Sequence, residues 1–219
     1  MLNLNLKWAS MALECQGCFK MEYPKSLFNL INHFKNLPGV GEKTAERMAL
    51  AMLEFDKSKL NSFAKSIIDV KDKIKRCKNC NNLCEGDFCD ICLNENRDKK
   101  IICVVEDVKN LILFEKNQLF NGHYHILNGL ISPIDGITPD DINIKLLLQR
   151  VNEMDVKEVI IAIKPSLEGE ATALYISKCL QNSNVVVSKI AHGIPMGADM
   201  EYIDAITLET ALFERKIIS

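Results

Sequence analysis

Residues 77–92 read CKNCNNLCEGDFCDIC. Two CxxC pairs, Cys77/Cys80 and Cys89/Cys92, stand eight residues apart. That spacing places four thiolates around one structural Zn²⁺ per chain. So small a knuckle has no room for a hydrophobic core, so metal binding supplies its folding energy. The competing readings are two disulfides or a dithiol redox motif. Four cysteines crowded near lysine and asparagine, with no secretory signal pattern in the chain, fit both poorly. The inter-pair loop is too short to present a recognition helix, which argues against a zinc finger that reads DNA sequence. The knuckle also divides the chain. A basic, helix-rich segment precedes it, and alternating strand-like and helix-like stretches follow.

The chain has 219 residues, 47% of them hydrophobic, with a formal net charge of −2. This composition suits a globular protein of one or two domains. No run approaches the roughly 18 apolar residues of a membrane span, and Met1 to Ser10 lack a secretory apolar core. The expected location is therefore the cytoplasm. Nine cysteines, an odd number, also favour a reducing compartment. Cys103 and Cys179 lie in apolar surroundings and are expected to be buried small hydrophobes. From Tyr23 to Cys80 there are 12 Lys/Arg against 6 Asp/Glu, a local excess of +6, so the rest of the chain carries −8. Any polyanion is expected to bind the first part. Residues 1–22 contain Cys15 and Cys18, a candidate metal half-site, but the knuckle already has its four ligands. Met21-Glu-Tyr-Pro resembles a natural start, so the first 20 residues are expected to be an upstream extension, and 1–22 is set apart as an N-terminal segment, disordered or not native.

Within the basic segment, 23–76, Ser26 to Phe34 has apolar residues at 27, 28, 30, 31 and 34, a helical period. Leu37-Pro-Gly-Val-Gly41 follows, and a second periodic run passes through Ala49, Leu50 and Leu53. Pro38 ends the first helix, while Gly39 and Gly41 permit a tight turn with outward N–H groups. With the positive end of the next helix, these donors make an anion site. Lys43 and Arg47 are four apart and share a face from which they can reach neighbouring phosphates. This is the helix–hairpin–helix pattern of proteins that hold DNA without reading it. The plainer alternative is an ordinary helix connection with a glycine cap. Lys71, Lys73, Lys75, Arg76 and Lys78 would extend a phosphate-tracking surface.

In the second half, 99–190, Ile101 to Val105 reads as a buried parallel strand that ends at Glu106. Strands are expected again at His123–Leu127, Val159–Ile163 and Val185–Val187. Helices are expected up to Phe114, from the Thr138 cap to about Asn152, and after Glu170 to Leu180. The alternation implies a parallel sheet with helices on both faces. Function in such sheets gathers beyond the carboxyl ends of the strands. Glu106, Glu168 and Glu170 could converge there on an acidic patch able to hold Mg²⁺ or to meet a partner. Against that, Glu168 and Glu170 suit the first turn of a helix, and Glu106 suits a solvated strand end.

The ordered set of segments resembles the bacterial RecR family of recombination mediators. Its parts are YPKSLFNLINHFKNLPGVGEKTAERMA (23–49), the cysteine knuckle, ICVVEDVKNL (102–111), HYHILNGLISPIDGITPDDI (123–142), EVIIAIKPSLEGEATALYI (158–176) and KIAHGIPMGADMEYIDAITL (189–208). The resemblance runs from Tyr23 to Ile218. It implies a multi-element α/β chain: a helix–hairpin–helix domain over 23–76, a four-cysteine zinc finger over 77–93, a Toprim domain over 99–190 and a carboxy-terminal element over 191–219. It further implies a DNA-binding, non-enzymatic homo-oligomer, dimer or tetramer, in DNA repair and recombination after DNA damage. Such a scaffold acts with RecO, and in some bacteria RecF, to promote RecA loading on single-stranded or gapped DNA, in the nucleoid-bearing cytoplasm. By the resemblance Gly39, Gly41, Lys43 and Arg47 hold DNA, Cys77, Cys80, Cys89 and Cys92 hold zinc, and Glu106, Glu168 and Glu170 fall in the Toprim acidic motifs. Lys164 departs from the family's usual Asn and puts a cation beside those acids. Glu214 departs from a common Gly, and Cys84 is a fifth thiol read as a spectator. The rival class is a Mg²⁺-dependent Toprim enzyme, a nuclease, primase or topoisomerase. Tyr124, Tyr175 and Tyr202 lie in no motif that marks a nucleophile.

Overall fold

A computed structural model describes residues 23–191 and 193–215, so the Cys15/Cys18 pair and the expected extension lie outside the described residues. The chain divides into two compact units between Ile68 and Asp69.

The first unit holds α1 (Lys25–Lys35), α2 (Glu42–Leu53) and most of α3 (Lys57–Lys73). Its core is small: Ile31, Ala45 and Ala49 are buried, with Leu27, Leu30, Phe34 and Val40 packed around them. Alanines four apart present one flat face of α2, which lets α1 pack closely against it. Asp56 starts α3 by accepting from the Lys59 N–H at 2.8 Å and the Ser58 hydroxyl at 2.6 Å. No residue of α3 is buried.

The second unit begins with a two-stranded antiparallel ribbon, β1 (Lys75–Arg76) and β2 (Leu83–Cys84), and one short turn of helix, α4 (Asp90–Leu93). A four-stranded sheet follows, built from β3 (Asp98–Val105), β4 (Gly122–Ile126), β5 (Glu158–Ala162) and β6 (Val186–Lys189). The spatial order is β4-β3-β5-β6 and every pairing is parallel. The crossovers are α5 (Val108–Lys116), α6 (Ile144–Glu153) and α7 (Leu167–Leu180). Alternation along β3 fills both faces. Ile102 and Val104 join Val159, Ile161, Leu147, Val151 and Ile176 beneath α6 and α7. Cys103 and Val105 join Tyr124, Ile126 and Leu111 beneath α5, with Ile91 of the knuckle packed alongside. Each such fully buried aliphatic side chain contributes about 1.5–3 kcal/mol of transfer free energy. A 3₁₀ turn (Met200–Tyr202) and α8 (Ala205–Phe213), capped by Asp204 on the Thr207 N–H at 2.9 Å, end the described chain.

Two expectations are corrected. Helix α6 starts at Ile144 instead of Thr138. The Asp141 carboxylate folds back to accept from the Thr138 N–H at 2.8 Å and the Thr138 hydroxyl at 2.6 Å, which closes a tight turn and leaves helix initiation to Asn143. Cys179 is exposed, because α7 buries Gly169, Thr172, Ala173, Ile176 and Leu180 and leaves position 179 at the rim of that stripe. Among the described residues no helix is long and apolar enough to cross a membrane.

Candidate metal centre and nucleic-acid interface

The knuckle gathers its four sulfurs as the spacing predicts. Cys77, Cys80 and Cys89 are buried, Cys92 is half-buried, and the four Sγ atoms lie within 4.8 Å of one another. A tetrahedral zinc with bonds near 2.3 Å needs sulfur–sulfur separations of about 3.8 Å, so the set fits that ion. Cys80 and Cys89 approach to 3.4 Å, and the Cys89 N–H donates to Cys77 Sγ at 3.4 Å. The hydrogen bond between Cys80 and Cys89 holds the Cys89 thiol far below its ordinary range and pushes Cys80 far above it. Thiols this close share protons, and a divalent cation displaces them. Cys84 stands outside the set, with its thiol donating to the Gly86 carbonyl at 3.0 Å.

Backbone geometry explains the knuckle's shape. Asn81 adopts φ +63°, a left-handed conformation that asparagine tolerates better than most side chains. This reverses the chain, so the Asn81 N–H reaches the Cys77 carbonyl at 2.9 Å. The knuckle then docks on the edge strand β4. The Ile126 N–H donates to the Cys80 carbonyl at 2.9 Å, and Asn81 Nδ2 donates to the Ile126 carbonyl at 3.0 Å. Farther along the same edge, Arg150 Nη1 donates to the Tyr124 carbonyl at 2.6 Å and Arg97 Nη1 to the Gly122 carbonyl at 3.0 Å. An edge strand with open polar groups invites foreign strands, and here side chains and the knuckle occupy them.

At the hairpin, Gly39 has φ +78° and so needs glycine, while the Val40 N–H closes the turn on the Leu37 carbonyl at 3.1 Å. Gly41 differs. Its φ is −79° and an added Cβ would meet nothing within 4 Å, so neither backbone nor packing demands glycine there. Gly41 is the N-cap of α2 and brings no side-chain cap, which leaves the first N–H groups of the helix open at a surface where a phosphate can approach closely. Lys43 and Arg47 are exposed and have no ion-pair partner among the described residues, whereas Glu42 is held by Lys35 at 3.2 Å.

The three acids occupy the carboxyl end of the sheet, but each is already engaged. Lys164 Nζ lies 3.3 Å from Glu106. Lys189 Nζ donates to both oxygens of Glu170, at 3.1 and 3.0 Å. The Ser166 hydroxyl donates to Glu168 at 2.8 Å and holds its carboxyl below the usual range. Among the described residues, only the four cysteines form a converging group of three or more metal-ligating side chains, so the arrangement gives no support to Mg²⁺ at the acids. Gly169 is required sterically, since an added Cβ would stand 2.1 Å from the Lys164 carbonyl oxygen. That close approach presses the start of α7 onto the loop carrying Lys164.

Recombination protein RecR of Natranaerobius thermophilus is 44% identical to this chain over 194 residues, covering 89% of this chain and 98% of the relative. The chain belongs to the RecR family. The RecR of Staphylococcus saprophyticus is 44% identical over 195 residues, with the same 89% and 98% coverage. Family models place the RecR helix-hairpin-helix at residues 27–71, the RecR four-cysteine zinc finger domain at 74–94, a Toprim domain at 100–191 and the RecR C-terminal region at 193–216. The four clustered cysteines are thus those of a RecR zinc finger, and together the finger model and the cluster support a structural zinc.

Arg97 and Arg150 are parts of this architecture that sequence reading passes over. A signal for Arg150 exists: it falls on the apolar stripe of α6 with Ile144, Leu147 and Val151, where a cation needs buried partners.

Proposed function

We propose that this RecR-family chain is a DNA-holding scaffold in recombinational repair, working without catalytic turnover. The observation that carries the reading is the hairpin: an uncapped helix start at Gly41, an open approach beside it, and Lys43 and Arg47 unpaired one helical turn apart. The Gly39–Gly41 turn and the α2 N–H groups receive a phosphate while Lys43 and Arg47 meet its neighbours, which fixes the protein on the backbone without reading bases. Each contact is weak, and a homo-oligomer, dimer or tetramer, multiplies them by avidity. RecO, and RecF where it occurs, are the protein partners in this reading, and RecA loading on single-stranded or gapped DNA is its outcome. Glu106, Glu168 and Glu170 face partner proteins. The Lys164 and Lys189 ion pairs favour this role over metal-dependent chemistry, because they satisfy carboxylates that a Toprim enzyme would keep for its metal.

The test is DNA-binding anisotropy across a salt series, paired with light scattering. Lys43→Glu with Arg47→Glu is expected to weaken binding by at least roughly tenfold and to lower the salt slope by about 2, with the oligomer unchanged. Unchanged affinity would sink the assignment.

A further inference from the structure

The second unit buries a cation that no carboxylate pairs among the described residues. Arg150 is 2% exposed. Guanidinium keeps its charge at any pH a protein survives, so this positive charge sits permanently in the interior. Its hydrogen bonds go to neutral acceptors, the Tyr124 carbonyl at 2.6 Å and His123 Nδ1 at 2.8 Å. Because guanidinium can only donate, Nδ1 must be the bare nitrogen of His123, whose proton therefore sits on Nε2. Burial, and next the Arg150 charge, push the His123 pKa down, which keeps the ring neutral. A buried charge matched only by dipoles is costly unless a counter-charge is near.

One candidate counter-charge exists. Residues 124 and 126 point their backbone groups to the same side of β4, roughly 7 Å apart. Arg150 holds the first position and the knuckle, through the Cys80 carbonyl and the Asn81 amide, holds the second. Helix α4, which carries Cys92, also packs against β4. Four thiolates around one Zn²⁺ leave a net double negative charge, so the metal centre and the guanidinium sit side by side on one strand edge with opposite signs.

We propose that Arg150 is the counter-charge of the zinc–tetrathiolate centre, a positioning residue carried by α6 that ties metal affinity to the folded α/β sheet. The inference rests on the four-cysteine zinc reading. It accounts for a buried arginine without an acid partner, and for a cysteine cluster that, among the described residues, has no lysine or arginine in its ligand-side hydrogen bonds. Residues outside the ligand set commonly change metal affinity by about 10- to 100-fold when replaced.

The experiment titrates zinc in the full chain against a chromophoric chelator, with the thermal midpoint measured on the same samples. Arg150→Met is expected to weaken zinc binding by about 10- to 100-fold. Arg150→Lys keeps the charge and should stay within roughly threefold of wild type. Leu147→Ala, on the same buried face of α6, should lower the midpoint and leave zinc affinity unchanged, which separates charge from packing. Wild-type affinity in Arg150→Met, or an equal loss in Leu147→Ala, overturns the proposal. If Arg150→Met does not fold, Arg150→Gln, which keeps a donor and drops the charge, takes its place: a loss of about tenfold or more supports the counter-charge, and any smaller change refutes it. A wild-type chain that takes up no zinc removes the metal reading itself, and this inference with it.

Discussion

Replacing His125 with glutamine should flatten the acid side of this protein's stability curve. His125 has no exposed surface, its Nε2 donates to the Asn143 carbonyl at 2.8 Å, and its Nδ1 has no partner. Burial lowers its pKa from 6.5 to about 4, with the bond to Asn143 opposing and the Arg150 charge assisting. The sign follows from where the proton binds. Above the unfolded value of 6.5 the ring is neutral in both states and contributes no pH dependence. Below it, the unfolded chain takes a proton that the folded chain refuses, so stability falls with pH until the folded value near 4 is reached. A separation of about 2.5 units at 1.36 kcal/mol each gives a total of about 3.4 kcal/mol, of which about 2 kcal/mol is lost between pH 7.5 and pH 5. Urea unfolding followed by circular dichroism at these two pH values reads the loss in wild type and in His125→Gln. Zinc release on acidification affects both proteins alike and cancels in the difference. Glutamine can still donate to Asn143, so the variant should fold and lose about 2 kcal/mol less over the same interval. Parallel curves for the two proteins would refute the reasoning.

Gly169→Ala forces a methyl onto the Lys164 carbonyl oxygen, 2.1 Å away, and the backbone there cannot step aside without moving the β5–α7 loop. It should cost about 1–3 kcal/mol and lower the thermal midpoint by several degrees, and an unchanged midpoint would show that the loop yields freely. Asn81→Ala loses both the left-handed tolerance at φ +63° and the bond to the Ile126 carbonyl, so it should cost about 1–3 kcal/mol. Asn81→Gly keeps the conformation and should recover part of that in a denaturant melt. Equal costs would mean the backbone angle carries no strain.

Much of the fold was legible because its periods are clean. The apolar run at Ile101–Val105 and the helix ending at Leu180 lie where the pattern puts them, since a strand buried on both faces reads as a short continuous apolar run. The cysteine cluster was legible for a different reason, because four thiols at that spacing have few other uses. What pattern could not reveal were choices made by single side chains. Thr138 and Asp141 have the composition of a helix start, yet their side chains bond each other and close a turn. Glu106, Glu168 and Glu170 share one end of the sheet; the Lys164 cation beside them was legible, but the ion pair that Lys189 makes with Glu170, 19 residues away, was not. Pairing over such spans is settled by the strand order β3-β5-β6, which no local window contains.

The sealing of β4 gives the metal a second consequence. With the knuckle folded against it, the outward carbonyls of Gly122, Tyr124 and Ile126 and the N–H of Ile126 are all spoken for. A knuckle that depends on its ion for folding lets go of Ile126 when the ion leaves, and that end of the β4 edge then shows its backbone groups to its neighbours. Starved of zinc, such molecules would accumulate by rim-to-rim addition. The first sign of metal loss would then be turbidity, with the Gly39–Gly41 hairpin still intact in every molecule.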